Sequence, residues 1–123
     1  MDQVQGKVTI APTVLTTIVR LTALEQRGVR RMAPVLPKVH SLLAGGAVEE
    51  GIAVELTDKG VQVELHVVAE ANTNMCKLGK TLQTGITRAL EEMVGLPVVA
   101  VYVHIDGVVL TADKAERLRQ GAE

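Results

Sequence analysis

The sequence predicts an α+β fold in which two helices cover one face of a mostly antiparallel sheet. Three observations support this prediction: long stretches with apolar residues at helical spacing, shorter stretches in which apolar and polar residues alternate, and glycine or proline between them. The predicted order is strand, helix, strand, strand, helix, strand. Burial of both apolar helix stripes against the same side of the sheet gives a two-layer sandwich.

The amino-terminal part of the chain predicts a strand followed by a helix. From Val4 to Ile10 apolar and polar residues alternate, which is typical of a short strand. Pro12 suits the first turn of a helix, and apolar residues then recur at helical spacing as far as Leu21. Gly28 is expected to end this helix.

The middle of the chain predicts a hairpin after a long connection. Prolines and glycines interrupt residues 29–51, so a connection is expected there, in which residues 40–43 could form a helical turn. Alternation starts at Ile52, pauses at Asp58-Lys59-Gly60 and resumes from Val61 to Val67. Two strands joined by a tight turn are therefore expected.

The carboxyl-terminal half predicts a second helix, a last strand and a charged tail. Asn74 can cap a helix that has an apolar face from Met75 to Met93, and Gly95 ends it. The last strand is predicted from Val98 to Ile105, with its odd-numbered residues facing the helices. Beyond Thr111 the tail predicts a short charged helix.

Length and composition disfavour several classes of protein. The 123 residues are expected to form one domain, with a core over about residues 4–110 and a tail over 111–123. The net charge of −1 and the single aromatic residue, Tyr102, argue against nucleic-acid binding. No apolar run approaches the ~20 residues that span a bilayer, so no integral membrane segment is expected. The single cysteine cannot close an internal disulfide, which favours a reducing cytoplasm.

The most informative residues fall on the sheet face opposite the predicted helices. Alternation places there a set of side chains that forms a candidate protein-contact face: Glu64, His66, Val68, Val98, Ala100, Tyr102 and His104. A face that mixes apolar and polar residues favours contact with a protein partner over simple solvation. Because imidazole and carboxylate groups are zinc ligands, the alternative is a metal site built on His66, His104 and Glu64.

The remaining candidate residues are better explained by structural roles or by solvation than by a functional site. Cys76 falls in the first turn after Asn74, where a thiol is either reactive or packed, and packing is the favoured interpretation. Glu25 is expected to be exposed or capped rather than catalytic, and the arginines at 27, 30 and 31 are expected to form a solvated basic spot. The sequence has no phosphate-binding loop, nucleophile elbow or paired CxxC motif, so no catalytic residue, bound metal or cofactor is expected.

Several stretches of the chain resemble the alkaline shock protein family of bacteria. They are Gly6 to Val19 (GKVTIAPTVLTTIV), the RGV that ends the first helix, Gly60 to Val68, and Glu91 to Val109 (EEMVGLPVVAVYVHIDGVV), of which the last is the most specific. The resemblance covers about Val4 to Leu110. The sequence departs from the family pattern at residues 69–72, at Cys76, and from Pro34 to Gly51.

The resemblance implies a small α+β domain with a role in envelope stress or homeostasis. The resemblance also implies that such a role depends on contact with partners and on self-assembly, and it supplies no catalytic residues or cofactor. We therefore expect a non-enzymatic cytoplasmic interaction module. It is expected to form a homo-oligomer, to bind a membrane-anchored protein, or to do both, and such a partner would hold it peripherally at the membrane. The alternative is a metal-binding regulator or a metal-dependent enzyme that uses the histidine-rich sheet face.

Overall fold

The computed structural model describes residues 4–37 and 45–110 of the chain. Their secondary structure comprises two helices, α1 (Pro12–Glu25) and α2 (Met75–Val94), and five strands, β1 (Val29–Met32), β2 (Gly46–Glu49), β3 (Ile52–Thr57), β4 (Gly60–Glu70) and β5 (Val98–Val109). All five strands belong to one sheet. The predicted α+β class is confirmed.

Strand β4 is the centre of the sheet because it pairs with three other strands. β5 runs parallel to it along one edge. The opposite edge is shared, with β3 antiparallel to the first half of β4 and β1 antiparallel to its end. β2 then adds antiparallel to β3. The sheet is mostly antiparallel, as predicted, and α2 is the crossover that its single parallel pair requires.

Along one edge of β4, the pairing partner changes from β3 to β1 at His66. Its N–H donates to the Gly51 carbonyl at 2.7 Å, and its own carbonyl accepts from the N–H of Ala33 at 2.9 Å. Gly51 has a φ of +77°, and a Cβ at that position would lie 2.9 Å from the His66 carbonyl oxygen. Only glycine accommodates both the backbone angle and the close approach beside this junction.

Both helices pack on the same face of the sheet, as the sequence predicts. The core combines the apolar stripes of α1 and α2 with the inward residues of the strands: Leu15, Ile18, Val19, Leu78, Leu82, Ile86, Leu90, Ile52, Val54, Val61, Val63, Leu65, Val67 and Val101. Polar contacts also hold α1 to β2, since Thr16 donates to Glu49 at 2.6 Å and Arg20 forms an ion pair with the same carboxylate. These contacts place the start of α1 over the β2 edge of the sheet.

The predicted hairpin and the ends of the second helix are confirmed. β3 and β4 pair from Ile52 opposite Leu65 to Thr57 opposite Gly60. At the start of α2 the side chain of Asn74 accepts a hydrogen bond from the backbone N–H of Lys77 at 3.0 Å. At its end Gly95 takes the left-handed conformation, with a φ of 80°.

Three predictions about the elements before β3 are wrong. Residues 4–10 form no strand and are exposed, because alternation gives a segment two faces but supplies no neighbouring strand. α1 ends at Glu25, ahead of Gly28. The connection predicted over residues 29–51 contains β1 and β2, which at four residues each are too short for a periodic pattern. The helical turn predicted at 40–43 and the helix predicted after Thr111 lie outside the described residues.

Strand β5 contains two irregularities that break the predicted alternation. Val98 pairs with Val61 and Ala100 with Gln62, so Val99 is an extra residue. Val98 consequently packs against the core, whereas Val99 is 49% exposed, the reverse of the predicted orientations. A second shift lies at Asp106, and the strand continues to Val109 instead of ending at Ile105. Bulges of this kind re-aim side chains and cannot be read from periodicity.

Gly60 offers a test of the contact between the hairpin turn and the residues that precede β5. Its φ is +139°, and a Cβ would lie 2.3 Å from the carbonyl oxygen of Pro97. We expect Gly60→Ala to lower the free energy of unfolding by more than about 1 kcal/mol. Gly79→Ala is the matched control, because a Cβ there meets nothing within 4 Å, and it should stabilise the helix by about 0.5–1 kcal/mol. Urea unfolding of both variants measures the difference, and equal effects would contradict this account of Gly60.

Candidate functional site

The candidate site is the sheet surface that faces away from the two helices, here called the open face. It is built on the parallel pair of strands, with Glu64 and His66 on β4 and Ala100, Tyr102, His104 and Asp106 on β5. Glu64 lies directly opposite Tyr102, and His66 lies opposite His104. Alternation along both strands therefore brings two imidazoles and two carboxylates to one surface.

His66 is the centre of a side-chain network on the open face. Its ring stacks on that of His104, with centroids 4.3 Å apart and planes inclined by 12°. Its Nε2 lies 2.8 Å from Oε2 of Glu64, and its Nδ1 lies 2.8 Å from Oδ2 of Asp106. The Nε2 of His104 lies 3.6 Å from the same Glu64 oxygen. One imidazole thus bridges two carboxylates, and one carboxylate lies between two imidazoles.

This network changes the proton affinity of His66. Partial burial lowers the pKa of His66, but its hydrogen bonds to Glu64 and Asp106, with the charges of those carboxylates, outweigh burial and raise the pKa above 6.5. A neutral imidazole has only one N–H, so both carboxylates receive a hydrogen bond only when the ring is protonated. The folded structure therefore favours the imidazolium form.

Most of the predicted contact residues share the open face. The structure brings together Glu64, His66, Ala100, Tyr102 and His104. The placement of Val98 on this surface is wrong, because the bulge at Val99 turns Val98 toward the core. Val68 pairs with Arg31 and Gly107 and is only 6% exposed, so it offers little contact surface.

Asp106 is the site residue to which the sequence gives no role. Alternation assigns it to the open face, but its contact with His66 depends on the bulge, where Val67 pairs with Ile105 and Val68 with Gly107. The sequence signal for Asp106 is its position two residues after His104, which places it on the same face of β5. The other histidine, His66, lies on the neighbouring strand β4. Register between strands is needed to turn that signal into a contact.

The other candidate residues lie away from the open face. Cys76 is a free, exposed cysteine on α2, so the expectation of a packed thiol is wrong. Glu25 is exposed at the end of α1, as expected. Arg30 and Arg31 are exposed but lie on β1 rather than in a loop, and Arg30 is 3.4 Å from Glu70.

The open face also contains the only group of potential metal ligands among residues 4–37 and 45–110. The ligand atoms of Glu64, His66 and His104 lie within 4.8 Å of one another. A zinc ion lies about 2.0–2.1 Å from an imidazole nitrogen, close to the plane of the ring. Two nearly parallel rings 4.3 Å apart share no such position. The observed side-chain conformations suit proton sharing better than metal binding.

Comparison with known proteins identifies the family. A family model for alkaline shock protein 23, described as a family with a cell envelope-related function, matches residues 1–110. The chain belongs to this family. The resemblance in the sequence is confirmed, and membership adds a cell envelope-related function to the geometry of the open face.

Two bacterial proteins are similar to the chain over most of its length. The uncharacterized protein YqhY of Bacillus subtilis is 29% identical over 84% of this chain and 77% of its own length. The uncharacterized protein Spy1614 of Streptococcus pyogenes is 26% identical over 84% of this chain and 88% of its own length. Neither name assigns a reaction. No solved structure matches the chain. Neither described helix is both long and apolar enough to cross a membrane.

The raised pKa of His66 predicts a pH-dependent contribution to stability. Because the pKa is higher in the folded state than the unfolded value near 6.5, the contribution is complete below pH 6.5 and is lost as the pH rises through the folded-state pKa. We expect Asp106→Asn to lower the pKa of His66, and to destabilise the protein more at about pH 5.5 than at about pH 8.5. NMR titration and urea unfolding measure the two effects. Glu55→Gln, on the neighbouring strand β3, is the control, and an equal shift there would contradict this origin.

The stacked histidines predict that zinc is not a structural component of this site. We expect purified protein to hold far less than one zinc per chain, and its Tm to be unchanged by a chelator. Elemental analysis and thermal unfolding measure both. Stoichiometric zinc that disappears in His66→Ala would contradict this expectation and establish the metal-binding alternative.

Proposed function

We propose that the protein is a non-enzymatic interaction module of the cytoplasm. In this proposal it serves the cell envelope by contact with protein partners and with further copies of itself, as a scaffold or regulator of envelope stress or homeostasis. Family membership supports the connection with the envelope. The remainder of the proposal depends on the open face.

The observation that carries the proposal is a partly exposed aromatic and imidazole surface fixed by cross-strand contacts. Tyr102 is 53% exposed, and it lies beside the stacked pair of His66 and His104. Glu64 and Asp106 hold His66 from two sides, so the surface is ordered before any partner arrives. Tyrosine is enriched in protein interfaces, and preorganisation reduces the entropy lost on binding.

The same geometry favours binding over catalysis. Active sites are usually concave pockets that bury most of a substrate. The His66 cluster instead lies on a sheet surface, and its carboxylates are engaged with imidazoles rather than directed at a cavity. The described structure therefore gives no reason to assign a reaction to His66, the residue with the raised pKa.

The cytoplasm and a membrane-anchored partner form the remaining part of the proposal. The single cysteine, Cys76, is free and exposed, which suits a reducing compartment. An envelope role is then exercised by binding a protein that is itself held in the membrane, and the open face is the surface that we assign to this contact.

Site-specific photo-cross-linking in cells tests the proposal. We expect a photoreactive amino acid at Tyr102 to form a covalent product with an identified protein in the membrane fraction. The same group at Leu21, which is 57% exposed on α1 in the other layer, is the matched control. Tyr102→Asp should then weaken membrane-fraction association at least about tenfold, which corresponds to about 1.4 kcal/mol. Equal labelling from Leu21, or none from Tyr102, would count against the open face as the contact surface.

A further inference from the structure

We propose that residues 4–10 of one copy add as a strand to the outer edge of β5 in a second copy. This inference rests on the proposed self-association and names the two segments that perform it. The donor is the amino-terminal segment, for which the sequence predicts a strand and the structure shows none. The acceptor is the edge of the sheet next to the open face.

The acceptor is a long edge strand with few of the features that discourage pairing. β5 has twelve residues, from Val98 to Val109, and within residues 4–37 and 45–110 it pairs only with β4. Its sequence is rich in β-branched residues, and it contains no proline and no lysine. Edge strands of soluble proteins are normally short or protected by such residues or by bulges. The irregularities at Val99 and Asp106 leave a regular stretch from Ala100 to Ile105, and this stretch is the template for another chain.

A groove beside β5 can receive the side chains of an added strand. It lies between α2 and β5 and is lined by Met75, Cys76, Gly79, Lys80, Gln83, Val103 and Ile105. Val103 and Ile105 pack against the core but remain partly exposed. The side-chain amide of Gln83 donates to the Val101 carbonyl at 3.1 Å, which fixes α2 against the strand. Peptides that add to an exposed sheet edge place alternate side chains in such grooves.

The donor segment has the two faces that this position requires. Val4, Gly6, Val8 and Ile10 alternate with Gln5, Lys7 and Thr9. Val4 is 92% exposed and Val8 is 90% exposed, so their apolar surface is unburied in the single chain. A strand that directs Val8 into the groove directs Lys7 to the opposite side of the sheet. That side is the open face, where Glu64 and Asp106 give the amino group a favourable charge environment.

The position of α1 favours a donor from another copy. Ile10 lies two residues before Pro12, and the first turns of α1 are held to Glu49 of β2. β2 and β5 are the opposite edges of the sheet, separated by three strand spacings of about 4.8 Å each, or about 14 Å. Two extended residues reach only about 7 Å. Ile10 therefore cannot reach β5 of its own chain, although Ile10 of a neighbour can.

Cross-linking between two different variants tests the inference in the full-length chain. One partner is the wild type, in which Cys76 supplies the only thiol and lies in the acceptor groove. The other partner is Val8→Cys combined with Cys76→Ser, so its only thiol lies on the apolar face of the donor segment. The double variant is given a tag that increases its mass and is mixed with the wild type. A short bismaleimide should then join the two into a covalent heterodimer, whose mass on a denaturing gel lies between those of the two homodimers. Val14→Cys with Cys76→Ser is the matched control, because Val14 is also an exposed valine, 45% accessible, but lies on α1.

The proposal expects at least about tenfold more heterodimer from Val8→Cys than from Val14→Cys. Thr9→Cys, on the other side of the donor segment, should also give less product than Val8→Cys. Light scattering of Val8→Asp should show a lower mass than the wild type, whereas Val14→Asp should match the wild type. Equal cross-linking from positions 8 and 14 would overturn the inference.

Light scattering of the wild type separates the failure of this inference from that of the proposed function. Association of the wild type without the Val8-dependent product means that copies meet elsewhere, or that the chain's own tail covers β5. This outcome overturns strand donation and leaves self-association in place. A wild type that stays monomeric at every concentration overturns both.

Discussion

The pairing of β4 along both of its edges is the constraint on which the fold and the open face depend. β5 occupies one edge, and β3 and β1 share the other, so the strand is fixed in register from Val61 to Glu70. Its inward residues, such as Val63 and Leu65, are fully covered by the helices. Period-two geometry then directs Glu64 and His66 to the opposite surface. Burial of the valines on one face thus determines where the titratable groups lie on the other.

His66 joins the elements of the sheet through both its backbone and its side chain. Its backbone groups bond to Gly51, just before β3 begins, and to Ala33, just after β1 ends. Its imidazole bonds within β4 to Glu64 and across to Asp106 of β5. Protonation of the ring completes both side-chain hydrogen bonds, so the charge state of His66 affects how firmly the end of β5 is held. The raised pKa is the electrostatic consequence of this position.

Long periodic elements could be predicted from the sequence, and short or irregular ones could not. The alternation in β3 and β4, the Asn74 cap and the Gly95 terminus arise from local chemistry, and each is found in the structure. β1 and β2 have four residues each, which is only two periods of strand alternation. Their existence depends on edges that β4 and β3 offer, which are tertiary features.

The open face shows the same division between local and tertiary information. Alternation alone places Glu64, His66, Tyr102 and His104 on one surface. The stacking of the two imidazoles requires the His66–His104 register, and the contact with Asp106 requires a bulge. The misplacement of Val98 has the same cause, because a single extra residue at Val99 reverses the orientation of Val98, the first residue of the strand. Strand pairing determines these details, and the register of that pairing cannot be read from a single sequence.

Residues 4–10 present the opposite case, in which a strong local pattern has no partner within the described fold. A sequence that alternates faces but remains exposed, as Val4 and Val8 do, loses the benefit of burying that apolar surface. Adding such a segment to the edge of β5 extends the sheet in its own plane and leaves Tyr102 and the histidine pair uncovered. The self-association proposed at the edge and the partner binding proposed at the open face would therefore use different surfaces. The first extends the sheet along its hydrogen-bonding direction, and the second takes place perpendicular to the plane of the sheet. An assembly of copies joined in this way would display the open face repeatedly, and a membrane-anchored partner could bind several copies at once with correspondingly greater avidity.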